Sequence, residues 1–135
     1  MPPELSVGIF LSDSVIREEN TGKLSLIGGF QFFNSSTFPF QGQPFVVTVG
    51  LRNVPENRQF GIKVAVVDSK NLTLGRSEGQ VLVSKIPHPD AIFEFPFPLP
   101  PIIFPEPGTY TIAVTVEGVE VGKRALIVRS VTSMN

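Results

Sequence analysis

Apolar side chains recur at every second position through most of this chain. Leu5, Val7, Ile9 and Leu11 alternate with Ser6, Gly8, Phe10 and Ser12, and Phe45, Val47, Val49 and Leu51 repeat the spacing. Phe60, Ile62, Val64 and Val66 stand against Gly61, Lys63 and Ala65 in the same way. A period of two puts successive side chains on opposite sides of a pleated strand, so each run predicts a strand with one side buried. No segment carries a helical period. The clearest run comes late, where Tyr110, Ile112, Val114 and Val116 share one side and Thr109, Thr111, Thr115 and Glu117 take the other. Upstream, Pro105 and Pro107 cannot donate to a ladder and hold the chain outside the sheet until Gly108 lets it turn in. Glu117-Gly118 predicts a tight hairpin turn, with the return strand passing through Ala125, Leu126, Ile127 and Val128.

Turn residues punctuate the remaining runs. The first strand is expected to end at Asp13-Ser14 and to be followed by a polar tip closed by Asn20 to Gly22. A second strand is expected over 23–33, with Leu24, Leu26, Phe30 and Phe32 inward and Gly28-Gly29 marking a bulge, a bend or a close approach. Residues 34–43 read as a loop, 53–57 and 68–71 as turns, and 72–83 as a strand interrupted by Gly75 and Gly79. After the break at Ile86-Pro87-His88-Pro89-Asp90, a strand over 91–97 carries Phe93, Phe95 and Phe97 inward and leads into a proline-rich crossover over 96–107. About eight short strands at spacings near ten residues predict an all-β fold, a two-sheet immunoglobulin-like sandwich over 1–135 as a single domain. A partly closed β-barrel is the alternative. Tyr110, the only tyrosine, sits where sandwiches of this type place a corner tyrosine whose hydroxyl bonds back to nearby backbone.

Composition narrows the functional classes. At 135 residues the chain can bury roughly two-thirds of its unfolded surface and needs no staple. Cysteine is absent, which removes disulfides, thiolate metal sites and cysteine nucleophiles and fits a reducing compartment. The first residues lack a secretory pattern, and no apolar run approaches the roughly 18 residues of a membrane helix. The expected setting is therefore cytoplasmic, with no membrane partner. A formal net charge of −1, with basic residues scattered apart from Lys123-Arg124, offers no footprint for nucleic acid.

Three groups of residues could carry chemistry. His88, the only histidine, lies between two prolines with Asp90 close by, and a His-Asp pair can act as a general base or bind a metal. Nothing nearby completes a metal set or a nucleophile elbow, so a solvated loop histidine is the plainer reading. Asp13, Glu18, Glu19 and Asn20 form a polar tip whose oxygens could hold a hard cation, although the spacing lacks the alternation of an EF-hand loop. Phenylalanine is the anomaly, with twelve Phe against one Tyr and no Trp. Phe33, Phe38 and Phe40 fall where a strand ends or in the loop after it, and either cap an open end of the sandwich or form an apolar interaction patch. A Pro-x-x-Pro spacing at Pro98 and Pro101 reads as a crossover between sheets, because its flanks lack a basic residue. The glycosylation patterns at Asn34 and Asn71 lack a secretory context.

The stretch from Asn20 through Gly22-Lys23-Leu24-Ser25-Leu26-Ile27-Gly28 to Phe30, preceded by Leu11-Ser12-Asp13 and followed downstream by Pro107-Gly108-Thr109-Tyr110, resembles a family of small bacterial proteins of unknown function. The resemblance spans most of the chain and implies a β-sandwich; Gly28, Pro107, Gly108 and Tyr110 are expected to be structural, from the bulge and corner they form. It implies no activity, ligand or catalytic residue.

The leading expectation is a non-catalytic binding or assembly module, needing no cofactor and acting through a protein partner or a homodimer. A small hydrolase or metal-dependent enzyme built on His88 and carboxylates is the second reading, and it requires a cleft around that histidine. The third is a calcium- or carbohydrate-binding sandwich using the tip between Asp13 and Lys23.

Overall fold

The computed structural model describes residues 2–132, with the side chain of Val7 outside that description. Among the described residues eleven strands follow in order: β1 (Glu4–Arg17), β2 (Leu24–Gly29), β3 (Phe32–Ser35), β4 (Phe40–Gln41), β5 (Phe45–Arg52), β6 (Gln59–Val67), β7 (Thr73–Leu82), β8 (Phe93–Leu99), β9 (Ile103–Phe104), β10 (Gly108–Val116) and β11 (Val119–Ser130). One sheet has the order β2-β1-β5-β8 and the second β3-β11-β10-β6-β7, while β4 and β9 form a short separate pair. Neighbours run antiparallel except β3, which lies parallel to β11. The result is an all-β, immunoglobulin-like sandwich.

Alternation fixes the core. Val47, Val49 and Leu51 of β5 join Ile62, Val64 and Val66 of β6 and Ile112 and Val114 of β10 in one cluster, each no more than 1% exposed. Burying each such side chain contributes roughly 1.5–3 kcal/mol relative to leaving it in water, so a one-residue slip in register is heavily penalised. The corner tyrosine is present: Tyr110 is 4% exposed, and its hydroxyl donates to the Glu106 carbonyl at 2.6 Å. Its ring meets Phe104 edge-on at 4.9 Å between centroids. Burial pushes the phenol above the ordinary tyrosine value, and the bond to Glu106 only partly offsets that. The β10–β11 turn places Glu117 and Gly118 at φ 52° and 80°, the paired positive values of a type I′ hairpin. In that turn the Glu117 carboxylate accepts from Arg58 Nη1 at 2.7 Å, and the Glu117 N–H donates to the Gly61 carbonyl at 2.9 Å.

Three departures from the sequence reading matter for function. First, β1 does not stop at Asp13-Ser14 but runs to Arg17, pairing Ser14 with Ile27 and Ile16 with Ser25. Second, the single strand expected over 23–33 is two strands in different sheets, and the chain crosses between them after Gly28-Gly29. Gly28 sits at φ +70°, and Asp13 Oδ2 fills the space a Cβ there would need. Register then decides the facing. Phe33 aligns with Val128, which is buried, and Phe32 with Ile127, which is exposed. Phe32, expected inward, is therefore 41% exposed, and Leu26 on the edge strand β2 also stays open. Third, β8 extends into the prolines: Pro96 pairs with Thr48 and Pro98 with Val46. On an edge strand every second N–H points away from the partner, so proline at alternate positions loses no ladder bond. The crossover beyond is anchored by Leu99, Ile102 and Phe104 while Pro98, Pro100 and Pro101 remain exposed.

Candidate functional site

One end of the sandwich is closed by aromatic rings, because β3 delivers Phe33 to the point where both sheets and the β4–β9 pair meet. The Phe33 centroid lies 4.9 Å from that of Phe30, 5.6 Å from Phe45, 5.7 Å from Phe104 and 5.9 Å from Phe40. Phe38 adds to the cluster through Phe40 at 6.4 Å. Such tilted and edge-on pairs contribute about 0.5–1.5 kcal/mol each beyond the area they bury. Phe33, Phe38 and Phe40 are half-buried, each packed against the core with part of its ring at the surface. A groove of about 430 Å³ runs along this end, lined by Phe30, Phe32, Phe33 and Phe40 together with Asp13, Asn34, Gln41, Gln43 and Pro44.

The polar tip does not assemble as one group. Glu18 is engaged locally: its carboxylate accepts from Ser25 Oγ at 3.0 Å and Thr21 Oγ1 at 3.3 Å, its N–H donates to the Lys23 carbonyl, and Arg17 Nη1 donates to the Gly22 carbonyl at 2.8 Å. Glu19 and Asn20 point to solvent beside it. Asp13 stands apart, down the hairpin and beside the aromatic groove. Among the described residues no group of three or more His, Asp or Glu side chains could hold a metal ion.

His88 lies in an exposed turn. Its Nδ1 accepts from the Asp90 N–H at 3.0 Å and stands 3.9 Å from the Asp90 carboxylate, while its carbonyl accepts from the Ala91 N–H. Both side chains are more than two-thirds exposed. Away from this turn, an open saddle of about 550 Å³ is lined by Lys63, Glu78, Gln80 and Glu117 on the outer side of the second sheet, and a concavity of about 470 Å³ surrounds the Tyr110 corner.

The outer sides of the two sheets differ in chemistry. On the first, register brings Phe10 beside Thr48 and Pro96, Ser12 beside Val46 and Gly29, Ser14 beside Ile27, and Ile16 beside Ser25. Charge stands at the two ends: at one, Glu4 meets Arg52 in an ion pair and Glu94 aligns with Gly50, and at the other Glu18 accepts from Ser25 Oγ. Between them, from the Phe10–Thr48–Pro96 row to the Ile16–Ser25 pair, no aligned position on this side is charged. Phe10, Ile16 and Ile27 are 40%, 53% and 45% exposed there. Thr48, between Phe10 and Pro96, is wholly buried, and its hydroxyl finds no hydrogen-bond partner. On the second sheet the outer rows carry Lys63 opposite Glu78, Arg76 opposite Ala65 and Lys123 opposite Ala113. Arg124, the inward neighbour of Lys123, reaches between the sheets and donates to the Ile9 carbonyl.

The pattern of alternation alone did not point to the uncharged side, although its signal is present in Gly8, Phe10, Ser12, Ser14 and Ile16 of β1 and Val46, Thr48 and Gly50 of β5, which are small or apolar. It also joined Asp13 to the tip, because the strand was expected to end there.

Fold and surfaces together define an immunoglobulin-like β-sandwich whose distinctive features are an aromatic end and one uncharged outer side. The chain belongs to a family of unknown function, DUF6941, which it matches over residues 8–129. No curated protein sequence matches it. Among solved structures it is similar to an immunoglobulin-like protein of Pseudomonas aeruginosa, at 13% identity and TM-score 0.38, over 96% of this chain and 98% of that one. It is also similar to a glycosyl hydrolase family 2 member of Bacteroides cellulosilyticus, at 16% identity and TM-score 0.45 over 61% of this chain, and it spans only 11% of that enzyme. A third likeness is to the alkylpurine DNA glycosylase AlkC of Pseudomonas fluorescens, at 13% identity and TM-score 0.45, over 74% of this chain and 28% of that one.

Proposed function

We propose that this protein is a non-catalytic assembly module that pairs with a second copy of itself through the outer side of its first sheet. The observation that carries the reading is the uncharged row structure around Phe10, Ile16 and Ile27, on a side the fold would equally allow to be charged. Exposed large apolar side chains grouped on one uncharged surface favour protein contact over solvation. A second copy is the natural occupant, because a surface without charge meets itself without like-charge repulsion, and the net charge of −1 adds almost none.

Size supports the same occupant. Four strands about 4.8 Å apart, each running about eight residues at roughly 3.4 Å, cover roughly 500 Å² in projection. The projecting β1–β2 hairpin extends this toward the ~800 Å² per partner of a standard interface. Pro96 and Pro98 remove outward N–H groups from the β8 edge, which disfavours strand addition there and leaves face-to-face docking. Sedimentation velocity over a hundredfold range of concentration tests the reading: a monomer–dimer equilibrium is expected, and a monomer at every concentration overturns it.

A further inference from the structure

Natural sheets blunt their edges with short strands, prolines or inward charges, because a row of unpaired N–H and C=O groups invites another strand. Three edges of this sandwich follow that rule: β2 and β3 are six and four residues long, and β8 carries Pro96 and Pro98. The fourth does not. β7 runs for ten residues without proline, and its positions opposite the core residues Val66, Val64 and Ile62 are Gly75, Ser77 and Gly79. In the continuation of the β6–β10 ladder the Glu117 N–H donates to the Gly61 carbonyl, so the odd-numbered residues of β6 bond to β10 and the even-numbered ones to β7. On β7 the partners bonded to β6 are therefore Gly75, Ser77, Gly79 and Val81, and the backbone groups of Arg76, Glu78 and Gln80 point to the open edge.

Counted outward from Ser77, this strand complements its own reverse. Arg76 answers Glu78, Gly75 answers Gly79, and Leu72, just before the strand, answers Leu82. In an antiparallel pair with a two-fold axis at Ser77, Arg76 of each copy falls directly opposite Glu78 of the other. Both residues belong to the set whose backbone groups face outward, so these are the hydrogen-bonded pairs, and Ser77 meets Ser77 as a non-hydrogen-bonded pair. The nearest alternative registers that keep this parity centre on Arg76 or on Glu78, and each sets a charge against its own kind. Arg76 and Glu78 are exposed, and among the described residues neither stands in an ion pair. Leu72 and Leu82 are 62% and 56% exposed, and the pairing brings them together at its two ends.

We propose that β7 pairs with β7 of a second copy in this register and joins the two second sheets edge to edge. The occupant is a second copy because the charges of the edge match their own reversed order, which an unrelated peptide has no reason to carry. One strand edge covers far less than the ~800 Å² per partner of a standard interface, so this contact is the weaker of the two self-contacts. It is separate from the first-sheet contact and gives each copy a place for a second neighbour.

Cross-linking tests it, because the chain has no cysteine and one introduced cysteine reports alone. Across a non-hydrogen-bonded pair the Cα atoms lie about 4.5 Å apart, within the roughly 4.4–6.8 Å that a disulfide spans. Ser77→Cys should therefore form a disulfide-linked dimer under mild oxidation at least about tenfold faster than Gly79→Cys, whose counterpart lies roughly 14 Å away along the paired strand. A Cβ at Gly79 meets nothing within 4 Å, so that control keeps its fold. Adding Arg76→Glu to Ser77→Cys sets carboxylate against carboxylate in both pairs and should slow linkage about tenfold, and adding Glu78→Arg as well should restore it. No linked dimer from Ser77→Cys, an equal rate from Gly79→Cys, or no recovery in the doubly swapped protein overturns the proposal. Phe10→Glu, which breaks the first-sheet contact, keeps the two readings apart. Linkage of Ser77→Cys that persists in that background belongs to the β7 edge, and its loss there overturns the edge contact.

Discussion

Across the second sheet the solvent-side rows carry Lys63 opposite Glu78 and Lys123 opposite Ala113, whereas across the first they carry Phe10 beside Thr48 and Ile27 beside Ser14. The inner sides of both sheets are equally apolar, so the needs of the core cannot explain the contrast. Opposite charges directly across a ladder add a little stability and much solubility. The second sheet takes that option. The first forgoes it along most of its width, and the fold gains nothing from the omission. Residues that folding leaves free are the ones in which a surface's use is written, and here they are those the proposed dimer would cover.

Four changes break or sharpen the contrast. The largest effect is expected from charge on the uncharged side. Phe10→Glu or Ile27→Glu should weaken dimerisation about thirtyfold or more, the scale of an interface hot spot, while Ala113→Glu on the second sheet should leave the sedimentation profile as it is. Loss of association in all three would mean that the two sides do not differ in use.

Next is the corner, which belongs to neither side. Tyr110→Phe removes the bond to Glu106 and should cost about 1 kcal/mol in urea denaturation without touching association. Burial raises the folded pKa of Tyr110, so its contribution is complete below the unfolded value of about 10 and is lost as pH rises through the folded one. Stability of the parent should therefore fall above that pH, and the part of the fall due to Tyr110 should vanish in Tyr110→Phe.

Thr48→Val works in the opposite direction. It deletes a buried hydroxyl that has no partner and should stabilise the fold by about 1 kcal/mol, read as a raised urea midpoint. A loss of stability would show that the hydroxyl is satisfied after all. The smallest effect belongs to Arg58→Ala. Its pair with Glu117 is solvated, so the melting temperature at neutral pH should barely move. The arginine's hydrogen bond lowers the Glu117 pKa, and the slight stability this gives is present at neutral pH and is lost as pH falls through the folded value.

Much of this architecture was legible in the chain. The runs at 45–51, 60–66 and 110–116 are strands with the inward residues expected, and the Pro-Gly corner with Tyr110 lies where the turn chemistry placed it. What local pattern could not give was partnership. Leu24 to Phe33 reads as one apolar strand, yet Phe32 and Phe33 take their facing from Ile127 and Val128, and no local period encodes a register with a strand so distant. Proline over 96–98 looked like the end of a strand, because an edge position, where proline is harmless, cannot be recognised until its neighbour is known. Of the candidate residues, Phe33 and Phe40 share a groove with Asp13, which the sequence reading had grouped with the turn instead.

The parallel contact between β3 and β11 joins residues 95 positions apart. During synthesis the Phe33 ring emerges some 95 positions before the strand that will seat it, so the aromatic end stays unfinished until β11 has left the ribosome. Its rings are open throughout that interval, and aggregation is most favoured before β11 arrives.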